Sequence, residues 1–280
     1  MRDPVYYSGS AKFFDTHAHI YDKKYDGGST VEDILRRAKS SGVTAVLIPA
    51  DSEETSRIAV KMANDYDGTE GVALYASVGV HPHEAKTYTR DTEEYLRRCL
   101  EAGKAQKIMA LGEIGLDYYY DLSERDVQRA VFEKQLELAY EYDIPIILHE
   151  REATGDCLEI LKRFYKAGRL RKLPGVCHCC SCSLEASREL LKMGFYLGFD
   201  GPLTFKNNKK TPEVVYNTPW DRIVIETDSP YLTPEPNRGL TNEPAHVAFV
   251  CSKLAEVKGV SIEEAAQITY DNGKILYGVD

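Results

Sequence analysis

The sequence lacks an excess of basic charge. Its 44 Asp and Glu residues against 35 Lys and Arg leave a formal net charge of −9, so no global positive field advertises nucleic-acid binding. A polyanion would have to be held by a local basic patch or by metal ions. No apolar run is long enough to cross a bilayer, and the start, MRDPVYYSGSAK, lacks the apolar core of a secretory signal; the expectation is a cytoplasmic protein with no membrane partner. Seven cysteines in 280 residues are not a disulfide framework. Four of them cluster in Val176–Ser183, VCHCCSCS, which at first sight looks like a zinc or iron–sulfur motif, but no second CxxC pair exists elsewhere. On a strand, Cys177 and Cys179 alternate away from His178. Cys177, Cys179, Cys180 and Cys182 therefore read as reduced structural thiols packed under a helix, neither metal ligands nor disulfide partners. No Pro/Gly/Ser linker or low-complexity stretch divides the chain.

What is present is the make-up of a globular protein, 43% hydrophobic and 28% charged, able to bury a sizeable core as a single domain over 1–280. The organising stretch is FFDTHAHI, Phe13–Ile20, a short buried strand on which His17, His19 and Asp15 share one face. Two neutral imidazoles side by side suit a divalent metal, the plain alternative being a pair of hydrogen-bonded core histidines. Further apolar strands follow at Val43–Ala50, Val72–Val80, Lys107–Glu113, Ile144–His149, Gly175–Cys179, Phe195–Phe199 and Arg222–Asp228. Helical patterns lie between most of them, at Thr30–Ser41, Asp51–Asp65, Asp91–Ala102, Ser123–Tyr142, Gly155–Lys166 and Leu184–Met193. Asn242–Lys258, Ser261–Gln267 and Asp271–Leu276 close the chain as helices, and Asp200–Trp220 is the longest stretch without clear pattern. Eight such strands in about 250 residues predict a (β/α)8 TIM barrel, whose active face is the C-terminal strand ends. A doubly wound sheet is the alternative, weakened because no Gly-rich phosphate fingerprint follows the first strand.

On this scaffold the polar residues gather at one face. His17 and His19 end strand one, Glu113 strand four, His149 strand five and Asp228 strand eight, and His178 lies near the end of strand six. Each follows or interrupts an apolar run, where an unpaired polar group costs several kcal/mol. Four imidazoles and two carboxylates are about enough for two divalent ions sharing a carboxylate and a hydroxide.

The segments FFDTHAHI, SVGVHPHEA, ALGEIGLDYYY, IPIILHEREA, HCCSCS, GFYLGFDGPLTFKNNKK and IETDSPYLTPEPNRG resemble, in order and spacing, the TatD-like metal-dependent deoxyribonucleases, which are amidohydrolase-type TIM barrels. The resemblance runs from about Phe13 to the C-terminus. It implies that His17, His19, Glu113 and Asp228 hold one ion and that Glu113, His149 and His178 hold the second, with Glu113 as the bridge. It implies Mg or Mn as the two ions, whereas the nitrogen-rich donor set by itself favours Zn, Ni or Fe by affinity; it also implies DNA (single strands or 3′ ends) as substrate and a 3′→5′ exodeoxyribonuclease activity. No obligate protein partner is inferred. Many amidohydrolase relatives bridge with a carboxylated lysine, whereas the matching strand end here carries Glu113. Two departures stand out: Cys182 replaces a glycine in the segment after the strand-six histidine, and Asp200 stands where a small polar residue is more usual.

Glu113 and Asp228 are the expected catalytic carboxylates, Asp228 as proton acceptor from the attacking water, with a plain ligand or helix N-cap as its alternative. His81, His83, Arg151, Lys206, Lys209 and Lys210 are the expected substrate contacts. An Arg suits a phosphate because its fork binds bidentately. The competing readings are loop hydrogen bonds for the two histidines, a salt bridge to Glu150 or Glu152 for Arg151, and a solvated surface for the lysines. Tyr118–Tyr120 could stack on bases or merely pack. Two other functions fit the same residues: hydrolysis of a small phosphoester, lactone or aminoacyl ester, and a non-catalytic metal-binding scaffold, against which the intact ligand set argues.

Overall fold

The computed structural model describes residues 3–279; the two ends of the 1–280 domain expectation lie outside them. Eight parallel strands pair in sequence order: β1 (Phe13–Asp15), β2 (Val43–Ile48), β3 (Ala73–Val78), β4 (Ile108–Asp117), β5 (Ile146–Arg151), β6 (Gly175–Cys177), β7 (Tyr196–Phe199) and β8 (Ile223–Ile225). The sheet closes on itself, since Thr16 N donates to Ile225 O at 3.2 Å, Asp228 N to His17 O at 2.9 Å and His19 N to Ser229 O at 2.7 Å. The architecture is thus the expected (β/α)8 barrel.

Alternation along the strands sorts the core. Phe14, Leu47, Ile147, Val176, Tyr196 and Val224 fill the barrel interior, while their neighbours Phe13, Val46, Leu148, Cys177, Leu197 and Ile225 pack outward against the helices. The outer ring is α1 (Val31–Ser40), α2 (Glu53–Tyr66), α3 (Arg90–Ala102), α4 (Arg125–Glu141), α5 (Thr154–Lys166), α6 (Leu184–Lys192), α7 (Lys210–Asn217) and α8 (Val247–Lys258), followed by α9 (Ile262–Tyr277). Several of these start on side-chain caps: Thr30 and Ser52 form capping boxes, and Ser183 and Ser261 each accept from a first-turn amide.

Several sequence expectations change. Segment 200–220 is not patternless, because it holds a short 3₁₀ turn (Gly201–Thr204) and α7. The two last helical segments are one helix, α9. Its apparent break at Asn272-Gly273 is a packing device: the Asn272 amide donates to Trp220 O and Ile223 O, both at 2.7 Å, and a Cβ on Gly273 would lie 2.7 Å from Phe14 Cδ1. Asp15 does not face the site with the two histidines. Its carboxylate accepts from Thr227 N at 2.9 Å and Thr227 Oγ1 at 2.6 Å, tying β1 to the end of β8.

Candidate metal centre

The interior parity of β5, β6 and β8, carried two residues beyond Ile147, Val176 and Val224, delivers His149, His178 and Glu226 into the mouth of the barrel, with Asp228 one step higher. Glu113 arrives differently. The β4–β5 register shifts between Gly112 and Ile114, so Glu113 is an extra residue opposite no partner, and the bulge aims its side chain at the axis. Beyond it β4 continues to Asp117, four residues past the end read from the sequence.

The donor atoms form two groups around one carboxylate. On the first side His17 Nε2 and His19 Nε2 are 3.2 Å apart, and both face Glu113 Oε1 (3.4 and 3.3 Å) and Asp228 Oδ1 (3.6 and 3.4 Å). On the second side Glu113 Oε2 lies 3.0 Å from His178 Nε2 and 3.6 Å from His149 Nδ1, which are themselves 3.0 Å apart. Four donors at about 2.0–2.1 Å from a tetrahedral ion have mutual separations of about 3.3–3.4 Å. In the first group the two imidazoles lie 3.2–3.6 Å from each other and from both carboxylates, close to that figure, and the second group offers three donors 3.0–3.6 Å apart. The residues present therefore suit divalent cations, and both groups share Glu113.

The electrostatics agree with the geometry. Burial alone would push the Glu113 carboxyl up, but the imidazoles of His178, His17 and His149 outweigh it and hold it well below the usual range. Burial pushes His17 down to about 4, leaving a neutral imidazole with a free lone pair. His149 goes the other way: against burial, the carboxylates of Asp117 and Glu113 raise it to about 9. A field that favours a proton there also favours a metal cation.

Around these donors stands a second layer that sequence reasoning missed. Asp117 is buried and accepts from His83 Nε2 at 2.9 Å and His149 Nε2 at 3.2 Å; Tyr119 N and Tyr120 N donate to its other oxygen at 3.0 and 2.9 Å. Tyr21 Oη sits 3.1 Å from His19 Nδ1. Glu226 is buried opposite Gly198, where a Cβ would come 2.5 Å from its Oε2, and accepts from Cys179 N. The signal for Glu226 was available in its spacing from Val224. Asp117 lies four residues beyond Glu113, where the apolar run predicts the end of strand four.

The expected substrate residues divide. His81 is buried with its ring 4.2 Å from that of His149, close enough for one of its nitrogens to group with Glu113 and His149. His83 is Asp117's partner. Arg151 is exposed and forms no ion pair among the described residues; Glu150 instead accepts from Ala153 N and Thr154 Oγ1 at 2.9 and 3.0 Å. The guanidinium lies over Tyr119 and Tyr120, 4.1 and 4.8 Å from the ring centres. Arg151 and Lys210 line one open groove of about 430 Å³, which they share with two carboxylates, Glu150 and Glu152, and with Thr154, Ser181, Cys182 and Ser183. Lys206 and Lys209 are exposed on the segment leading into α7. Cys177 faces outward as expected, but β6 ends there. Cys179 takes a positive φ of 44° and turns its thiol toward Asp200 rather than under a helix.

Comparison with known proteins gives one family. The model described as TatD related DNase matches residues 14–278. Uncharacterized metal-dependent hydrolase YabD of Bacillus subtilis (strain 168) is 42% identical over 267 residues, 95% of this chain and 99% of its own length. Uncharacterized metal-dependent hydrolase YcfH of Escherichia coli (strain K12) is 35% identical over 268 residues, 95% of this chain and 96% of its own. Among solved structures, YjjV, a TatD homologue from Escherichia coli K12, superposes with a TM-score of 0.86 at 30% identity, covering 97% of this chain and all of that one.

Proposed function

The chain belongs to the TatD related DNase family of metal-dependent hydrolases, and from that premise we propose that it is a 3′→5′ exodeoxyribonuclease working with a binuclear centre. The observation that carries this reading is the single buried carboxylate of Glu113, whose two oxygens face separate donor groups. His17, His19, Glu113 and Asp228 would hold one ion, and Glu113, His149 and His178 would hold the other. Imidazole-rich donors favour zinc by affinity, and carboxylates with open positions also admit magnesium or manganese. Divalent ions bound there supply Lewis-acid stabilisation of charge on the phosphodiester oxygens and make water a nucleophile at neutral pH.

The protein's own groups do the rest. Asp228 stays ionised, because hydrogen bonding to His19 and the neighbouring imidazoles outweigh its burial, and so can take the proton of the attacking water. Asp117 holds the Nε2 side of His149, which leaves Nδ1 turned to Glu113 and fixes the tautomer that can donate a lone pair. Arg151 and Lys210 grip phosphates along the groove, Lys206 and Lys209 extend the basic track, and Tyr119 and Tyr120, about half exposed at 53% and 52%, offer faces to unstacked bases. His81 and His83 form the rim on the other side.

That other side supports a second reading, hydrolysis of a small phosphoester, lactone or aminoacyl ester. A cavity of about 500 Å³ beside His81 and His83 is lined by Asp51, Glu53, Glu54 and Glu84, which repel a polyanion. The discriminating experiment incubates 5′- and 3′-labelled single-stranded DNA, and a chromogenic phosphodiester, with the protein and Mg²⁺, Mn²⁺ or Zn²⁺. A descending ladder from the 5′ label and early release of the 3′ label are expected. No DNA cleavage with any of the three ions, beside brisk turnover of a small ester, supports the second reading.

A further inference from the structure

Cys180 and Cys182 have no part in the chemistry above, yet their sulfurs lie 3.3 Å apart. We propose that they are an oxidisable thiol pair, which a hydroperoxide closes to a disulfide in preference to the other five cysteines. All seven are free thiols. Cys180 and Cys182 are both buried among the core side chains as expected, and the reactivity comes in addition to that placement.

The segment holding them is fixed at both ends. Behind it Cys180 N donates to Gly198 O at 2.8 Å, and ahead of it the Ser183 hydroxyl accepts from Ala186 N at 3.2 Å to start α6. A bond of about 2.05 Å then needs the two sulfurs to approach by little more than an ångström, within reach of side-chain rotation on a turn. Access comes from one side. Cys182 lines the open groove with Arg151 and Lys210, although only 6% exposed, and Cys180, 3% exposed, sits behind it. Reactivity points to the same residue. Hydrogen bonding with Cys177 and Cys180, and then the Lys210 ammonium, hold the Cys182 thiol below its ordinary value, whereas burial pushes Cys251 up to about 12 and also raises Cys99 and Cys157. Cys157 shares with Cys182 only an apolar space of about 10 Å³, too small to admit an oxidant.

The chemistry balances with hydrogen peroxide as the oxidant. The Cys182 thiolate attacks one peroxide oxygen and the O–O bond breaks; sulfur becomes a sulfenic acid and the other oxygen leaves as hydroxide, which is protonated to water. The Cys180 thiol gives up its proton and attacks the sulfenic sulfur; the S–O bond breaks and a second water leaves. Two electrons pass from the two sulfurs to the peroxide, and two thiols become one disulfide.

The test reads thiols, not hydrolysis, and so stands apart from the proposed nuclease activity. Full-length protein, as purified with its metal, is treated with hydrogen peroxide, alkylated, digested and mapped by mass spectrometry. The expected result is a peptide spanning Cys180 and Cys182 that is lighter by two hydrogens, resists alkylation until a dithiol reductant is added, and forms about ten-fold faster than Cys99 or Cys251 is lost. In Cys180→Ser, a sulfenic-acid trap should label Cys182; in Cys182→Ser, Cys180 should stay alkylatable. The wild-type map needs neither variant to fold. Alkylation of both thiols after peroxide, a bridge to Cys177 or Cys157 instead, or loss of Cys180 in Cys182→Ser would overturn the proposal.

Discussion

Replacing Asp117 by Asn changes one atom of a buried side chain and should weaken metal binding at the donor group that contains His149. In the native protein one Asp117 oxygen accepts from His83 Nε2 at 2.9 Å and from His149 Nε2 at 3.2 Å, while the other accepts from Tyr119 N and Tyr120 N. The asparagine amide can keep its carbonyl on the two backbone N–H groups only by turning its NH₂ toward the imidazoles. That places a donor against His149 Nε2, favours the tautomer protonated at Nδ1, and blocks the lone pair facing Glu113 Oε2. Loss of such an orienting partner typically weakens metal affinity 10–100-fold, which corresponds to about 1.4–2.7 kcal/mol. The loss should fall on the group with His149 and His178 and spare the group with His17, His19 and Asp228. Titration of metal-free protein with Zn²⁺ against a chromophoric chelator reads both affinities. His83→Ala, which leaves the His149–Asp117 contact in place, is the control and should lose less. A second equivalent bound by Asp117→Asn as tightly as by the native protein would refute the orienting role.

Removing Arg151 and Lys210 together as alanines should lower kcat/KM on single-stranded DNA several-fold, leave a chromogenic phosphodiester nearly untouched, and flatten the log–log salt slope by about 1.4, the value for two lost single-strand phosphate contacts; equal losses on both substrates would make the groove structural. A methyl group at Gly115, where φ is +144° and a Cβ would lie 1.9 Å from His149 O, should cost at least about 3 kcal/mol. That corresponds to a fall in Tm of roughly 6–12 °C, and an unchanged Tm in Gly115→Ala would contradict the close approach. Burial, and then the charge of Asp228, raise the Asp200 carboxyl from 3.8 to about 8, so the folded protein holds a proton that the unfolded chain has lost. Stability should therefore decline as pH rises from about 4 to 8. In EDTA, the Tm of Asp200→Asn should gain on that of the native protein across this interval, and a gap that does not change with pH would rule the ionisation out.

Much of the barrel was legible because buried parallel strands read as continuous apolar runs and a strand has a period of two. That period alone places His149 and His178 beside one another, two residues beyond Ile147 and Val176 on neighbouring strands. It fails where the backbone departs from it. β1 spans only Phe13–Asp15, so His17 and His19 converge through irregular chain while Asp15 turns to Thr227. At Glu113 the bulge resets the alternation, which concealed both the continuation of β4 and Asp117 at its end. Cys179 escaped for the same reason, its left-handed φ lying two residues past Cys177, the last paired residue of β6. The pairing of Arg151 with Tyr119 and Tyr120 joins the ends of two strands, and no local pattern could have announced it.

The central claim is that Glu113 sits between two ions, and anomalous scattering from crystals grown with Mn²⁺ or Zn²⁺ tests it most directly. The account predicts two peaks roughly 3.5–4 Å apart, one among His17, His19 and Asp228 and one between His149 and His178, with Glu113→Ala lowering the occupancy of both. A single peak in the native protein, or two full peaks in Glu113→Ala, would contradict it.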